Sequence, residues 1–132
     1  MRVAIIEECS QGPTLVLCHD YMSAACIEWF SCIKKLSESF RLVMPDMGTY
    51  GANSRVQDNS IPKCSNNPDE AEALILDWFE CFVSSMGSDL PEKFILAGIA
   101  NGGYQAGLYA SKHPERVEKL IVLSPSEFCP EP

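Results

Sequence analysis

Short apolar runs alternate with segments of helical period along this chain, and that alternation limits its fold more than any other feature. Residues 2–7, "RVAIIE", are β-branched and apolar and are closed by the turn residues "SQGP". "TLVLCHD" (14–20) is a continuous apolar run stopped by polar residues, the pattern of a strand buried on both faces, and "FRLVMPD" (40–46), "KFILAG" (93–98) and "VEKLIVLS" (117–124) read as further buried strands. Between them the period changes. From Ala24 to Leu36, the residues Ala25, Trp29, Ile33 and Leu36 share one face of a single helix, with Glu28, Lys34 and Lys35 elsewhere. "GGYQAGLYASKH" forms a further helix, stopped by Pro114. Strands joined through helices require right-handed crossovers. The expected fold is therefore α/β, a mainly parallel sheet of about five strands with helices on both faces. No repeat, low-complexity tract or internal boundary divides residues 1–132, which read as a single domain.

The firmest helix begins near residue 67. Asn67 is a good N-cap, Pro68 fits the first helical position, and Glu70 can complete a capping box. Ala71, Leu74, Ile75, Trp78, Phe79, Phe82, Val83 and Met86 then form one apolar stripe, which Gly87 ends. That stripe reads as sheet packing and not as a cofactor box. The segment before it, "MGTYGANSRVQDNSIPKCSNNPDE", is rich in Gly, Asn, Ser and Pro, and loops of that length are usually functional or mobile.

Composition narrows the function classes. A net charge of −8 argues against a nucleic-acid surface, which needs clustered Lys and Arg, and against docking on anionic lipid. No apolar run approaches the ~20 residues of a membrane span. The seven cysteines (Cys9, Cys18, Cys26, Cys32, Cys64, Cys81, Cys129) are odd in number, sit mostly in apolar runs and show no C-x-x-C spacing. They read as reduced thiols packed like small hydrophobes, and so imply an intracellular, reducing compartment, cytoplasm or organelle matrix. Two distant histidines argue against a zinc site, and no metal or cofactor is expected.

In open parallel sheets, chemistry gathers beyond the carboxyl ends of the strands. Three loops meet there: "CHDYM", "DMGTYGANS" and "GIANGG". The last has the spacing of a nucleophile elbow, G-x-S-x-G, a strained strand-to-helix turn whose small flanking residues admit neighbouring backbone. Gly98 and Gly102 keep the flanking positions and Gly103 adds a third glycine, but Ala100 stands at the centre and carries no hydroxyl.

With these motifs in place, residues 2 to about 128 resemble the N-terminal half of an α/β-hydrolase fold protein. "PTLVLCHDY" is similar to the strand and loop that donate one oxyanion N–H. "MPDMGTYGANS" resembles the family's D-x-x-G-x-G-x-S loop, keeping Asp46 and Gly51, with Thr49 at the first glycine and Ser54 one residue beyond the serine position. "FILAGIANGGYQAGLYASKHPERVEKLIVLSP" resembles the elbow strand, its helix and the next strand. The resemblance implies backbone oxyanion donors at Tyr21 and Asn101, and a ligand pole formed by His19, Asp20, Tyr21, Ala100 and Asn101. It also implies three departures. Ala100 replaces the nucleophile, a change that costs on the order of 10⁶ in turnover in a triad enzyme. Asp20 replaces the loop glycine and sets a carboxylate beside the oxyanion position, as in the non-enzymatic NDR-type branch that this loop resembles. The regions that hold the family's His and its usual acid are absent, leaving Glu127 as the one candidate acid. His19 belongs to the oxyanion loop, and His113 is expected to cap carbonyls at a helix end.

The chain is thus expected to lack an intact catalytic set. The resemblance implies a truncated fold whose last strand is an open edge that invites pairing with another chain. The reading is a catalytically inactive α/β-hydrolase-like protein, a structural or interaction subunit whose protein partner completes the edge. The alternative is the N-terminal portion of a serine hydrolase of esterase, lipase or acyl-hydrolase type, its Ser replaced by Ala. An acyl or ester-like small ligand is compatible with either.

Overall fold

In a computed structural model, residues 2–20, 23–47 and 68–125 are described. They form strands β1 (Val3–Ile6), β2 (Thr14–Cys18), β3 (Arg41–Pro45), β4 (Phe94–Ile99) and β5 (Val117–Leu123), with helices α1 (Ala25–Glu28), α2 (Phe30–Ser37), α3 (Pro68–Met86) and α4 (Ala100–Lys112). The sheet runs β1-β3-β2-β4-β5. β1 is antiparallel to β3, and every other pair is parallel.

Strand residues divide between two cores with period two. Leu15, Leu17, Leu42, Met44, Ile95 and Ala97 face Ala25 and Trp29, with Ile33 and Leu36 packed alongside, so α1 and α2 cover that side. Val16, Cys18, Val43 and Leu96 face Phe79, Phe82, Ala106 and Tyr109, which places α3 and α4 on the other. Phe79 stacks on Tyr109 with ring centroids 4.5 Å apart, and Trp78 stacks on Phe82 at 5.7 Å, so the α3 stripe packs as an aromatic layer. Helix α3 ends before Gly87, whose φ of +51° is the left-handed turn that follows a helix C-terminus.

Three expectations need correction. The helix expected from Ala24 to Leu36 is split at Trp29, which takes bridge-region dihedrals (φ −94°, ψ 4°). Burial of its indole against the sheet outweighs continuation of a short helical ladder. His113 donates its backbone N–H to the Tyr109 carbonyl, but its ring caps nothing. Nε2 lies 3.0 Å from Glu80 and Nδ1 3.4 Å from Glu115, because the ring stacks on Tyr109 and is turned toward carboxylates.

The third concerns β5, expected as a buried strand. Leu120, Ile121 and Leu123 are 43%, 45% and 43% exposed. Among the described residues β5 pairs with β4 alone. Helix α4 lies over one face of β5, where Val122 meets Gly103. Ile121, registered with Ala97, points to the opposite face, which no described element covers.

Candidate functional site

The loops leaving β2, β3 and β4 converge at one end of the sheet. At the end of β4 the chain turns into α4 through Ala100, whose φ of +48° lies in the left-handed region that costs an L-residue about 1–2 kcal/mol. Close packing holds the turn there. A Cβ on Gly98 would run into the Gly102 carbonyl oxygen, and one on Gly102 would run into the His19 carbonyl oxygen and lie 2.7 Å from that of Cys18. Only hydrogen at these two positions lets the β4–α4 turn fold on itself and sit against the end of β2. Gly103 packs against Val122 of β5.

Asp20 and Asn101, 81 residues apart in sequence, are joined directly: the Asn101 backbone N–H donates to Asp20 Oδ1 at 3.1 Å. The carboxylate therefore satisfies one of the unpaired donors at the N-terminus of α4, where the helix dipole also favours negative charge. The Asn101 side-chain oxygen accepts from the Gln105 amide one turn along.

His19 is 1% exposed and holds two loops together. Its Nε2 accepts the Met47 N–H at 2.8 Å. That assignment leaves the proton on Nδ1, which donates to the Asp20 carbonyl at 2.7 Å. Both ring nitrogens are committed to backbone, and the ring is a neutral strut with no lone pair left for proton abstraction. Asp46 acts similarly at the end of β3, its Oδ1 accepting the Ala25 N–H at 3.0 Å at the start of α1.

Nucleophilic chemistry is weakly supplied here. Ala100 brings a methyl group. The nearby Cys18 thiol is fully buried, and burial pushes its pKa up to about 12, so it stays protonated near neutrality. Among the described residues, no group of three or more His, Cys, Asp or Glu side chains is arranged to hold a metal ion, and no helix is long and apolar enough to cross a membrane. The five described cysteines (Cys9, Cys18, Cys26, Cys32, Cys81) are free thiols.

The structure brings together His19, Asp20, Gly98, Ala100, Asn101, Gly102 and Gly103. Tyr21 and Glu127 lie outside the described residues, as do residues 48–67 with Thr49, Gly51, Ser54 and the expected Asn67 cap. Sequence reasoning missed the His19–Met47 and Asp46–Ala25 links. Their one available signal was a polar residue closing an apolar run, which says that a strand has ended but not what the side chain will touch.

No protein-family model matches the chain. Individual proteins do. The Caenorhabditis elegans Abhydrolase domain-containing protein abhd-5.2 is 35% identical over 114 residues, 86% of this chain and 23% of that protein. A rice protein described as a probable 1-acylglycerol-3-phosphate O-acyltransferase is 34% identical over 120 residues, 91% of this chain and 27% of its own length. Among solved structures, carboxylesterase CesB (YbfK) from Bacillus subtilis superposes with a TM-score of 0.65 at 28% identity, covering 88% of this chain and 36% of the esterase. The chain thus spans about a quarter of the length of these two curated relatives. The chain belongs to the α/β-hydrolase fold superfamily and carries a part of that fold.

Proposed function

We propose that this is a catalytically inactive α/β-hydrolase-like protein, in which the elbow is kept as a packing device within a larger assembly. The observation that carries the reading is the turn itself. Ala100 holds the left-handed conformation of a nucleophile position without a hydroxyl, and the next N–H, the oxyanion donor of an active elbow, is already engaged by Asp20. A tetrahedral oxyanion would have to displace a carboxylate from that donor and then sit beside it. Neither His19 nor Cys18 offers a substitute base or nucleophile.

The interaction role rests on β5. Leu120-Ile121-Val122-Leu123 is an uninterrupted apolar run with side chains on both faces, the composition of an interior parallel strand. Its free edge and uncovered face suit a further strand and helix, whether from a partner protein or from more of the same polypeptide.

The alternative is that the chain is the N-terminal portion of a serine hydrolase whose Ser is replaced by Ala. Two observations favour it. The glycine packing of an active elbow is intact at Gly98 and Gly102. Relatives also include pimeloyl-[acyl-carrier protein] methyl ester esterases, from Aeromonas hydrophila for example, at 29% identity. An acyl or ester-like ligand held without cleavage fits both readings.

Fluorophosphonate labelling of the protein from its native source tests the choice. The inactive reading expects no adduct, and none after Ala100→Ser in this chain. A stoichiometric adduct on either protein overturns it. Ile121→Lys tests the assembly role, with loss of the native particle size as the expected result.

A further inference from the structure

A cavity of about 320 Å³ lies between the start of α1 and the β1–β3 edge, on the α1–α2 side of the sheet. It shares no residue with the elbow or the β2 loop. We propose that this cavity is a second site, which binds a small neutral ligand: a short alkyl chain ending in a carbonyl acceptor, such as an amide or ester.

The sequence explains why space is left there. Ala4 and Met44 are cross-strand partners on β1 and β3. By the two-residue period of a strand, Ala4 shares the face of Ile6, which packs on the α1–α2 core. Buried Ala25 belongs to the same core and, with Ala4 and Met44, lines the cavity. Methyl groups thus stand where a close-packed interior would carry branched side chains. The cavity is reached from outside, because Ala4 and Cys26 of its lining are exposed. Its volume admits roughly ten heavy atoms at about 30 Å³ each, the liquid share of one water.

Two charged residues choose the head group. Arg2 and Asp46 both line the cavity, and their charges cancel. An ionised ligand would lose its hydration there without meeting a net opposite charge. Asp46 Oδ1 accepts the Ala25 N–H at 3.0 Å and the Asp46 N–H donates to the Arg2 carbonyl at 3.1 Å, which fixes this end to both α1 and β1. A guanidinium has more N–H donors than a bidentate carboxylate can take, so Arg2 retains donors for a ligand oxygen. A carbonyl accepts them without bringing a charge. The chain's net charge of −8 opposes a carboxylate ligand further.

Cys26 makes occupancy measurable, because it lines the cavity while Cys32 and Cys81, also exposed, do not. The test follows modification of these three thiols in the full chain by methyl methanethiosulfonate, resolved by peptide mass spectrometry, with hexanamide, hexanoate and hexylammonium as probes. Hexanamide should bind at roughly millimolar concentration through its buried alkyl chain. At about ten times its dissociation constant it should slow Cys26 roughly tenfold by mass action, leaving Cys32 and Cys81 unchanged. Both ions should bind roughly tenfold more weakly. Ala4→Leu, at an exposed strand position, fills the cavity and should abolish protection. Arg2→Met leaves the cavity and should weaken hexanamide roughly tenfold by removing its donors. Failure of hexanamide to protect Cys26 overturns the site, as does equal slowing of all three thiols or undiminished protection in Ala4→Leu. Protection by either ion as strong as that by hexanamide, or full hexanamide affinity in Arg2→Met, overturns the assignment of a neutral carbonyl ligand. Fluorophosphonate labelling bears on the elbow alone and leaves every one of these outcomes unchanged.

Discussion

The Met47 backbone N–H donates to Nε2 of His19 at 2.8 Å, tying the end of β3 to the end of β2 through a side chain that is 1% exposed. Replacing it strands the Met47 N–H on one side and the Asp20 carbonyl on the other. Each buried orphan costs about 1–3 kcal/mol. His19→Ala should therefore destabilise the protein by about 3–5 kcal/mol, read by urea unfolding, once the lost ring volume is added. His19→Gln, which can restore an acceptor to Met47, should recover part of that loss.

At the elbow, the two kinds of small-residue change should have opposite signs. Gly102→Ala forces a methyl group into the His19 carbonyl, with no flexible neighbour to yield, and should cost about 2–4 kcal/mol. Ala100→Gly relieves a left-handed residue worth about 1–2 kcal/mol while adding about 0.4–1 kcal/mol of unfolded-chain freedom, so it should stabilise by about 0.5–1 kcal/mol. A thermal melt of both variants decides; equal signs would mean that the turn is not under the constraint described.

The glycines and the apolar runs were legible in the sequence because they report local requirements. Gly98 and Gly102 sit where backbone must touch backbone, and the alternation of Leu15 and Leu17 with Val16 and Cys18 is what a two-faced strand needs. The stripe from Ile75 to Met86 was visible for the same reason. The break at Trp29 was not, because it depends on how deeply one indole can enter the sheet face. Asp20 could be seen to place charge near the elbow, but its bond to Asn101 spans 81 residues and is fixed only once β2 and β4 are paired. His113 was misread because its carboxylate partners are set by a stack on Tyr109, and one of them, Glu80, belongs to another helix.

Cysteine reactivity should divide by position. Cys26, Cys32 and Cys81 are exposed and should alkylate readily at pH 8, while Cys18 should react only on unfolding. The raised Cys18 pKa also sets a sign for stability. Its folded value is about 12 against a reference of 9.0, so the native state holds the proton that the unfolded chain loses first. That contribution is complete below pH 9 and declines as pH rises toward 12, by up to about 1.4 kcal/mol per unit. Cys18→Ala should flatten the alkaline limb of the stability curve.

Amide exchange in β5 should report the state of its open edge. A parallel edge strand uses alternate residues to bond its neighbour, so within Val117–Leu123 protected and unprotected amides should alternate in the isolated chain. Protection of both sets in the native assembly would mean that a strand has been added beyond β5. Unchanged alternation there would remove the edge as an interface.

The two cores on either side of the sheet carry a consequence for the site itself. Along β2, Val16 and Cys18 belong to the α3–α4 layer and Leu15 and Leu17 to the α1–α2 layer. Asp20, two residues beyond Cys18, continues the even count and arrives at Asn101 of α4. The address of the carboxylate is thus written as parity. One residue inserted between Val16 and Asp20 would leave composition and strand length almost untouched, yet hand Asp20 to the opposite layer and set the Asn101 N–H free.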